Sequence, residues 1–184
     1  MGFYQMGLGI GLAYVAGIRS YFPLLLVGLI GRYGDRFPLQ APFRFLTAAP
    51  VLVALIVLMS YEVLAERAVG YATGHAIMQL VIKVLAGGMI FAGLFKGMGN
   101  LFGLIFGGLI AALAHFLLVY GLPGDRSGVS VSSIKDALAI SGAVLILLFP
   151  WISYVFWALI LYLLIRRLRL SSRYSSPRRT RSWR

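Results

Sequence analysis

Charged side chains fall inside apolar stretches of the sequence, where a bare charge is costly. Arg19 and Lys83 lie near the middle of two such stretches, Glu62 lies on a third, and Asp136 stands at the start of the last. A cation at the bilayer centre costs about 2.5–3.5 kcal/mol on insertion scales, so each cation needs an acid or a water-filled site nearby. The pattern predicts either an ion pair, Arg19 with Glu62 or with Asp136, or an intramembrane binding site. Because cations outnumber acids at mid-depth, that site would favour an anionic or carboxylate-bearing solute.

Pro23 gives a mechanical reason to expect such a site at Arg19. Proline has no amide hydrogen, so the carbonyl of Arg19, four positions earlier, loses its helical hydrogen bond. Membrane binding sites are often built from helices broken in this way. We therefore expect a locally opened helix at this point.

A stripe of small residues runs along the fourth apolar stretch. Gly99, Gly103, Gly107 and Ala111 recur every four positions, which places them on one helix face. Small residues let two helix backbones approach closely in a membrane. The spacing predicts a tight helix contact, either within the chain or with another subunit.

His115 continues that spacing by one step. The first interpretation is a hydrogen-bonded core histidine, and a proton relay is a second. Because a face of glycine and alanine leaves room for a flat ring, a haem or chlorophyll ligated by the imidazole is a third. We expect no cofactor, with such a macrocycle at His115 as the alternative.

Asp136 follows Lys135 and the serines Ser130, Ser132 and Ser133. Serine is a common helix cap, and an acid in the first turn suits the helix dipole. The segment therefore also predicts the N-terminal turn of the last helix.

Catalytic motifs are missing from the sequence. It has no nucleophile elbow, phosphate-binding loop, metalloprotease helix or paired carboxylates, and it has no cysteine. We therefore expect a protein that is not an enzyme and holds no metal.

Composition indicates the class of protein. Of 184 residues, 60% are hydrophobic and 12% charged, and mean hydropathy is +0.90, whereas soluble chains carry about 25% charge. Apolar stretches near 20 residues predict membrane-spanning helices. We expect an all-α polytopic membrane helix bundle with about five transmembrane helices. The five stretches are 6–30, 45–64, 76–95, 97–122 and 137–165.

The arginines set the expected orientation. Residues 166–184 carry eight Arg and no acid, and basic segments are retained on the cytoplasmic side. We expect a transmembrane domain at 1–165 with its N-terminus outside, and an Arg/Ser-rich cytoplasmic tail at 166–184. The tail would contact lipid headgroups or protein partners, and nucleic acid is not expected. Its basic residues are Arg166, Arg167, Arg169, Arg173, Arg178, Arg179, Arg181 and Arg184.

Four short segments carry a resemblance to a known family. They are AGIRSYFPLLL at 16–26, YEVLA at 61–65, QLVIKVLAG at 79–87 and SIKDALA at 133–139. Together they resemble a bacterial family of small multi-pass membrane proteins catalogued as domain of unknown function 4126. The resemblance implies the same span layout over most of residues 6–165 and singles out Arg19, Glu62, Lys83 and Asp136. It implies no activity.

These features support three functional hypotheses. The first is a non-catalytic subunit of a larger protein complex in the bacterial inner membrane, packing through glycine-rich helices and docking by its tail. The second is a small transporter or channel for an anionic or carboxylate-bearing solute. The third is a pigment- or haem-ligating membrane subunit. A homo-oligomer is compatible with each of them.

Overall fold

The computed structural model describes residues 2–34, 39–68, 73–96, 99–121 and 128–174. All regular structure in these ranges is helical, because a helix satisfies the backbone of an apolar stretch internally. The ranges contain a 3-10 helix and seven α-helices. The elements are α1 (Gly2–Ile18), α2 (Tyr21–Tyr33), the 3-10 helix (Ala41–Thr47), α3 (Ala49–Ala68), α4 (Thr73–Leu94), α5 (Asn100–Gly121), α6 (Gly128–Leu148) and α7 (Ile152–Tyr174).

The first predicted span is a hairpin of two helices. α1 ends just before Arg19, and α2 runs back beside it, so that Leu8 and Ile30 line the same small gap. Pro23 explains the break, because its missing amide cannot bond the carbonyl of residue 19, while proline is tolerated in the first turn of a new helix. The opened helix at Arg19 is confirmed, but the expectation of one continuous helix over 6–30 was wrong.

The last predicted span is also divided, with Pro150 between α6 and α7. The cause is again a proline that cannot continue the helical hydrogen bonds. α6 begins earlier than predicted, so Asp136 lies in its interior and not, as expected, in its first turn. α7 continues into the segment predicted to be the tail and ends at Tyr174.

The centre of the bundle consists of α1, α4 and α5, which pack against one another through small residues. α4 and α5 are antiparallel, with Ala92 beside Gly103 and Gly87 beside Ala111. α1 runs antiparallel to α4 and places Gly17 against Ala111. Such close approach of backbones replaces the hydrophobic driving force that is weak between helices in lipid.

The other helices surround this centre. α2, α3 and the 3-10 helix pack together beside α1, and α6 and α7 each pack on α1 from another side, with α3 also touching α6. Buried apolar side chains of α1, α2, α4 and α6 join in one core, which includes Leu12, Val27, Ile90 and Ala143. The break in α1–α2 is therefore enclosed by α3, α4, α5 and α6.

The outer surface is apolar, as expected for a membrane protein. Two described helices, Ile77–Leu94 and Asn100–Leu118, are long and apolar enough to cross a membrane. Ala41–Thr47 and Ala49–Ala65 would make a third as one broken span, bent by 68°. Phe102 is 70% exposed and Leu148 66%, on helices whose other faces are buried. The protein is a helical membrane protein, and five crossings stay a prediction.

One end of the bundle, which we call the N-terminal end, gathers basic side chains. The amide of Gln40 donates to the carbonyl of Gly93 (3.0 Å), so the 3-10 helix and the end of α4 meet here. Arg32 Nη1 donates to the backbone of the 3-10 helix (2.9 Å). Arg44 lies on that helix, and Lys96 is exposed just after α4. Because α1 and α4 are antiparallel, the N-terminus of α1 lies at the same end.

Candidate polar site at the α1–α2 turn

The turn between α1 and α2 buries two polar residues. Arg19 is 3% exposed and Ser20 is 1% exposed. The amide of Arg19 still donates to the carbonyl of Val15 (2.9 Å), so α1 is complete up to the turn. The break therefore places a guanidinium, a hydroxyl and a backbone amide inside the protein.

Two acids from other helices meet this turn. Asp136 of α6 pairs with Arg19, with 2.7 Å between Oδ1 and Nε. Glu62 of α3 is 6% exposed, and its Oε1 accepts hydrogen bonds from the amide and the hydroxyl of Ser20, each 3.3 Å long. The sequence left open whether Arg19 pairs with Glu62 or with Asp136. The structure shows the pair with Asp136, and Glu62 bonds Ser20, the residue after Arg19.

A second polar pair lies at the contact of α4 and α5. Lys83 Nζ is 3.2 Å from His115 Nδ1, and Lys83 is 1% exposed. A charged ammonium can only donate, so with Lys83 protonated His115 Nδ1 is the acceptor. The contact supports the first interpretation of His115, a hydrogen-bonded core residue. Gln79, one turn before Lys83, is also buried, and sequence reasoning missed it.

Lys135 is a further buried cation near these residues, and its position was not predicted from the sequence. It is 8% exposed and close enough to His115 to interact electrostatically. The sequence does contain a signal for this position. Lys135, Ala139, Ala143 and Ile146 recur at steps of four and three, and all four are buried on one face of α6.

The small-residue stripe of α5 brings these pairs together. Gly99 has open space around it among the described residues, whereas the other three stripe residues pack inside the chain. Lys83 and His115 each lie one turn beyond the closest contact of α4 with α5, so that contact sets their separation. The stripe contacts are Gly103 with Ala92, Gly107 with Gly87, and Ala111 with both Gly87 and Gly17.

The same packing bears on the macrocycle alternative. The glycine and alanine face that was expected to accommodate a flat ring beside His115 is occupied by α4 and α1. The space that motivated a haem or chlorophyll is thus taken by protein. Within the described residues, no three His, Cys, Asp or Glu side chains are placed to hold a metal ion.

Part of the predicted basic tail lies on α7. Arg166 is exposed there, and Arg167, Arg169 and Arg173 lie on the same helix. The remaining arginines lie outside the described residues. They are Arg178, Arg179, Arg181 and Arg184.

The residues of the polar site lie on the α1–α2 turn and on α3, α4, α5 and α6. Its three cations, Arg19, Lys83 and Lys135, are buried. Glu62 is buried as well, while Asp136 is 26% exposed. Three cations against two acids leave an excess of one positive charge among these residues. In a medium of low dielectric constant such an excess attracts an anion strongly.

Comparison with known proteins identifies a family. The chain matches the model of the family described as Domain of unknown function (DUF4126) over residues 6–170. No curated protein and no solved structure matches the chain. The family match confirms the resemblance carried by the four short segments. Because the matched region covers nearly the whole sequence, the protein belongs to the DUF4126 family of domains of unknown function.

Proposed function

We propose that the protein is a small membrane transporter or channel that binds an anionic or carboxylate-bearing solute at the polar site. The observation that carries this proposal is the buried turn between α1 and α2, where Arg19 pairs with Asp136 and Ser20 bonds Glu62. Charges inside a membrane are expensive, and they are retained mainly where a solute or proton path needs them. A purely apolar contact would hold the same helices together without that cost.

The charge balance supports an anion as the solute. Arg19, Lys83 and Lys135 exceed the two acids by one charge. A carboxylate or another small anion would neutralise that excess through charge-assisted hydrogen bonds, which are about twice as strong as neutral ones.

The hairpin geometry supports a solute site at the turn. Irregular backbone at membrane depth is tolerated where it is buried in protein or lines a water-filled cavity. Transporters use discontinuous helices in this way, because the helix ends offer backbone groups to a solute. Here Arg19 and Ser20 form such a break, with α3 on one side of it and α6 on the other.

We also propose that the protein lies in the bacterial inner membrane with the N-terminal end of the bundle in the cytoplasm. The expected orientation, with the N-terminus outside, assumed that the first span crosses the membrane. Because the hairpin returns, Arg32, Arg44 and Lys96 share an end with the start of α1, and basic flanks are retained inside.

Cysteine labelling tests this orientation, since the natural chain has no cysteine. Gly2→Cys and the control Lys96→Cys should both react with a membrane-impermeant maleimide only after spheroplasts are permeabilised. Labelling of Gly2→Cys in intact spheroplasts, with Lys96→Cys protected, would restore the orientation with the N-terminus outside.

Anion release from proteoliposomes tests the transport proposal. Vesicles loaded with potassium chloride, acetate or phosphate lose potassium through valinomycin only as fast as the anion can leave. Wild-type protein should speed the loss of at least one salt. Lys83→Gln should slow it by about tenfold or more, the value of one charge-assisted hydrogen bond. Lys96→Gln, the same change at an exposed site after α4, should have no effect.

Two results would contradict transport of these anions. One is a wild-type protein that releases none of the three salts faster than protein-free vesicles. The other is a Lys83→Gln protein that elutes and melts like the wild type and still releases the anion at the wild-type rate.

A non-catalytic subunit of a bacterial membrane complex is our second candidate, and the exposed end of α7 favours it. Tyr162, Ile165 and Arg166 are exposed there, so an apolar surface passes into a basic one. Such a surface fits a partner subunit that lies at the membrane boundary. Purification from native membranes in mild detergent should then recover stoichiometric partners, whereas a clean monomer or homo-oligomer would argue against this candidate.

A further inference from the structure

A second site lies outside the polar cluster, in a cavity of about 350 Å³ between α1, α6 and α7. Its volume is within the range of small-molecule sites in proteins. The walls are apolar, with Ile10 and Val15 from α1 and Ile146 from α6. Leu145 and Phe156 also line the cavity and are exposed, so it opens between α6 and α7 toward the outer surface of the bundle.

Four side chains with a neutral hydrogen-bond donor line this otherwise apolar cavity, namely Tyr14, Ser141, Ser153 and Trp157, and the last two carry the buried donors without a partner among the described residues. Ser153 and Trp157 are one turn apart on α7, and Ser153 is 3% exposed. Among the described residues, neither Ser153 Oγ nor Trp157 Nε1 has a hydrogen-bond partner, although both atoms are buried. Buried polar atoms are nearly always hydrogen-bonded, so two neighbouring exceptions in one cavity point to a ligand that bonds them.

Packing holds both donors in place. Gly11 of α1 makes room for Ser153, because a Cβ at Gly11 would overlap the Ser153 hydroxyl. The Trp157 ring stacks on Phe106 of α5, with 6.5 Å between the ring centroids. Donors that are already positioned cost little ordering when a ligand binds.

We propose that this cavity binds an uncharged lipophilic molecule through a carbonyl oxygen. The indole of Trp157 can only donate, and the Ser153 hydroxyl can donate beside it, so the complementary group is an acceptor. None of the described charged side chains lines the cavity, so the acceptor is uncharged, and the apolar walls bury the rest of the molecule. The ester carbonyl of an acyl lipid and the ring carbonyl of a quinone share this chemistry.

This inference goes beyond the proposed transport function and does not depend on it, because the cavity and the polar site share no residue. Either proposal can fail while the other stands.

Binding to the delipidated full-length protein in detergent tests the inference, with dioctanoylglycerol and decylubiquinone as probes in microscale thermophoresis. At least one probe should bind saturably. Ser153→Ala and Trp157→Phe should each weaken that binding by about fivefold, the value of one neutral hydrogen bond. Ser153→Ala removes only the hydroxyl, and Trp157→Phe removes the indole donor while an aromatic ring is kept.

A cavity-filling variant supplies a second, independent measurement. Gly142 lines the cavity, and a Cβ there meets Val15 at 3.6 Å, an ordinary van der Waals contact. Gly142→Leu should therefore abolish binding. Val144→Leu, at a 50% exposed position of the same helix, is the matched control and should bind like the wild type.

The outcomes separate the two ligand sources. Binding of dioctanoylglycerol alone identifies an acyl lipid, and binding of decylubiquinone alone identifies a quinone. Failure of both probes to saturate, or unchanged affinity in the combined Ser153→Ala and Trp157→Phe variant, would overturn the proposal. If Gly142→Leu does not fold, the two variants on α7 decide the result without it.

Discussion

The two flanks of α1 pack against the bundle by the same means but enclose different chemistry. Toward α4 and α5, Gly9 packs on Phe91 and Gly17 packs on Ala111. Toward α6 and α7, Gly11 accommodates Ser153. The first flank is closed by these contacts, whereas the second includes a cavity of about 350 Å³.

The two flanks also differ in whether their buried polar groups have a hydrogen-bond partner. Lys83 on the first flank contacts His115 and is 1% exposed, whereas Ser153 and Trp157 on the second have a buried donor each without a partner among the described residues. A buried charge is too costly to leave without compensation, but a neutral donor is not. The comparison teaches that the buried cation of the first flank has a polar partner within the fold, while the second flank holds neutral donors without a partner among the described residues.

The largest expected effect comes from opening the first flank. A Cβ on Gly107 would overlap the carbonyl of Gly87 and the Cβ of Phe91, neither of which can move without separating α4 from α5. Gly107→Leu should therefore abolish the folded, monodisperse peak in size-exclusion chromatography. Gly99→Leu makes the same change where nothing lies within 4 Å among the described residues and should be tolerated. Wild-type melting of Gly107→Leu would contradict the close contact.

A smaller effect is expected from breaking the ion pair at the turn. Asp136→Leu removes the carboxylate 2.7 Å from Arg19 Nε and should lower the free energy of unfolding by about 3 kcal/mol. Adding Arg19→Leu should recover part of that loss, because no buried cation is left at that position. Reversible unfolding in mixed detergent and SDS measures both. If the double variant loses as much as the two single variants together, the pair is not coupled.

The smallest effect compares two neighbouring hydroxyls on α7. Tyr154 Oη donates to the carbonyl of Phe3 (2.7 Å), so Tyr154→Phe should lower the free energy of unfolding by about 1 kcal/mol. Ser153→Ala removes a buried hydroxyl that has no partner among the described residues, so in delipidated protein it should be neutral or slightly stabilising. Equal losses in the two variants would show that Ser153 is already bonded and would remove the distinction between the flanks.

Much of the helical layout follows from the sequence. The stretches predicted at 76–95 and 97–122 agree closely with α4 and α5, and the stretch at 45–64 agrees with the 3-10 helix and α3. The sequence also marks the positions of both breaks, at Pro23 and Pro150. A proline, however, is compatible with a kink and with a reversal, so it does not predict the path of the chain beyond it.

Contacts distant in the sequence decide that path. Gly28 of α2 packs on the carbonyl of Leu46, and Ser20 bonds Glu62 of α3. These contacts turn α2 back along α1 and convert an expected crossing into a hairpin. The pairing at the site depends on the same packing, because the sequence offered Arg19 two acids and the position of α6 brings Asp136 to it.

The sequence by itself determined that this is a helical membrane protein, which helix face packs closely, and which charged residues are costly enough to need partners. Each of these follows from local properties, namely hydropathy, the spacing of small residues and the cost of burying a charge. Only the tertiary structure decided that Lys135 joins the cluster, that Asp136 meets Arg19, and that Ser153 and Trp157 share a cavity. These facts depend on how whole helices lie against one another, which no local property of the chain contains.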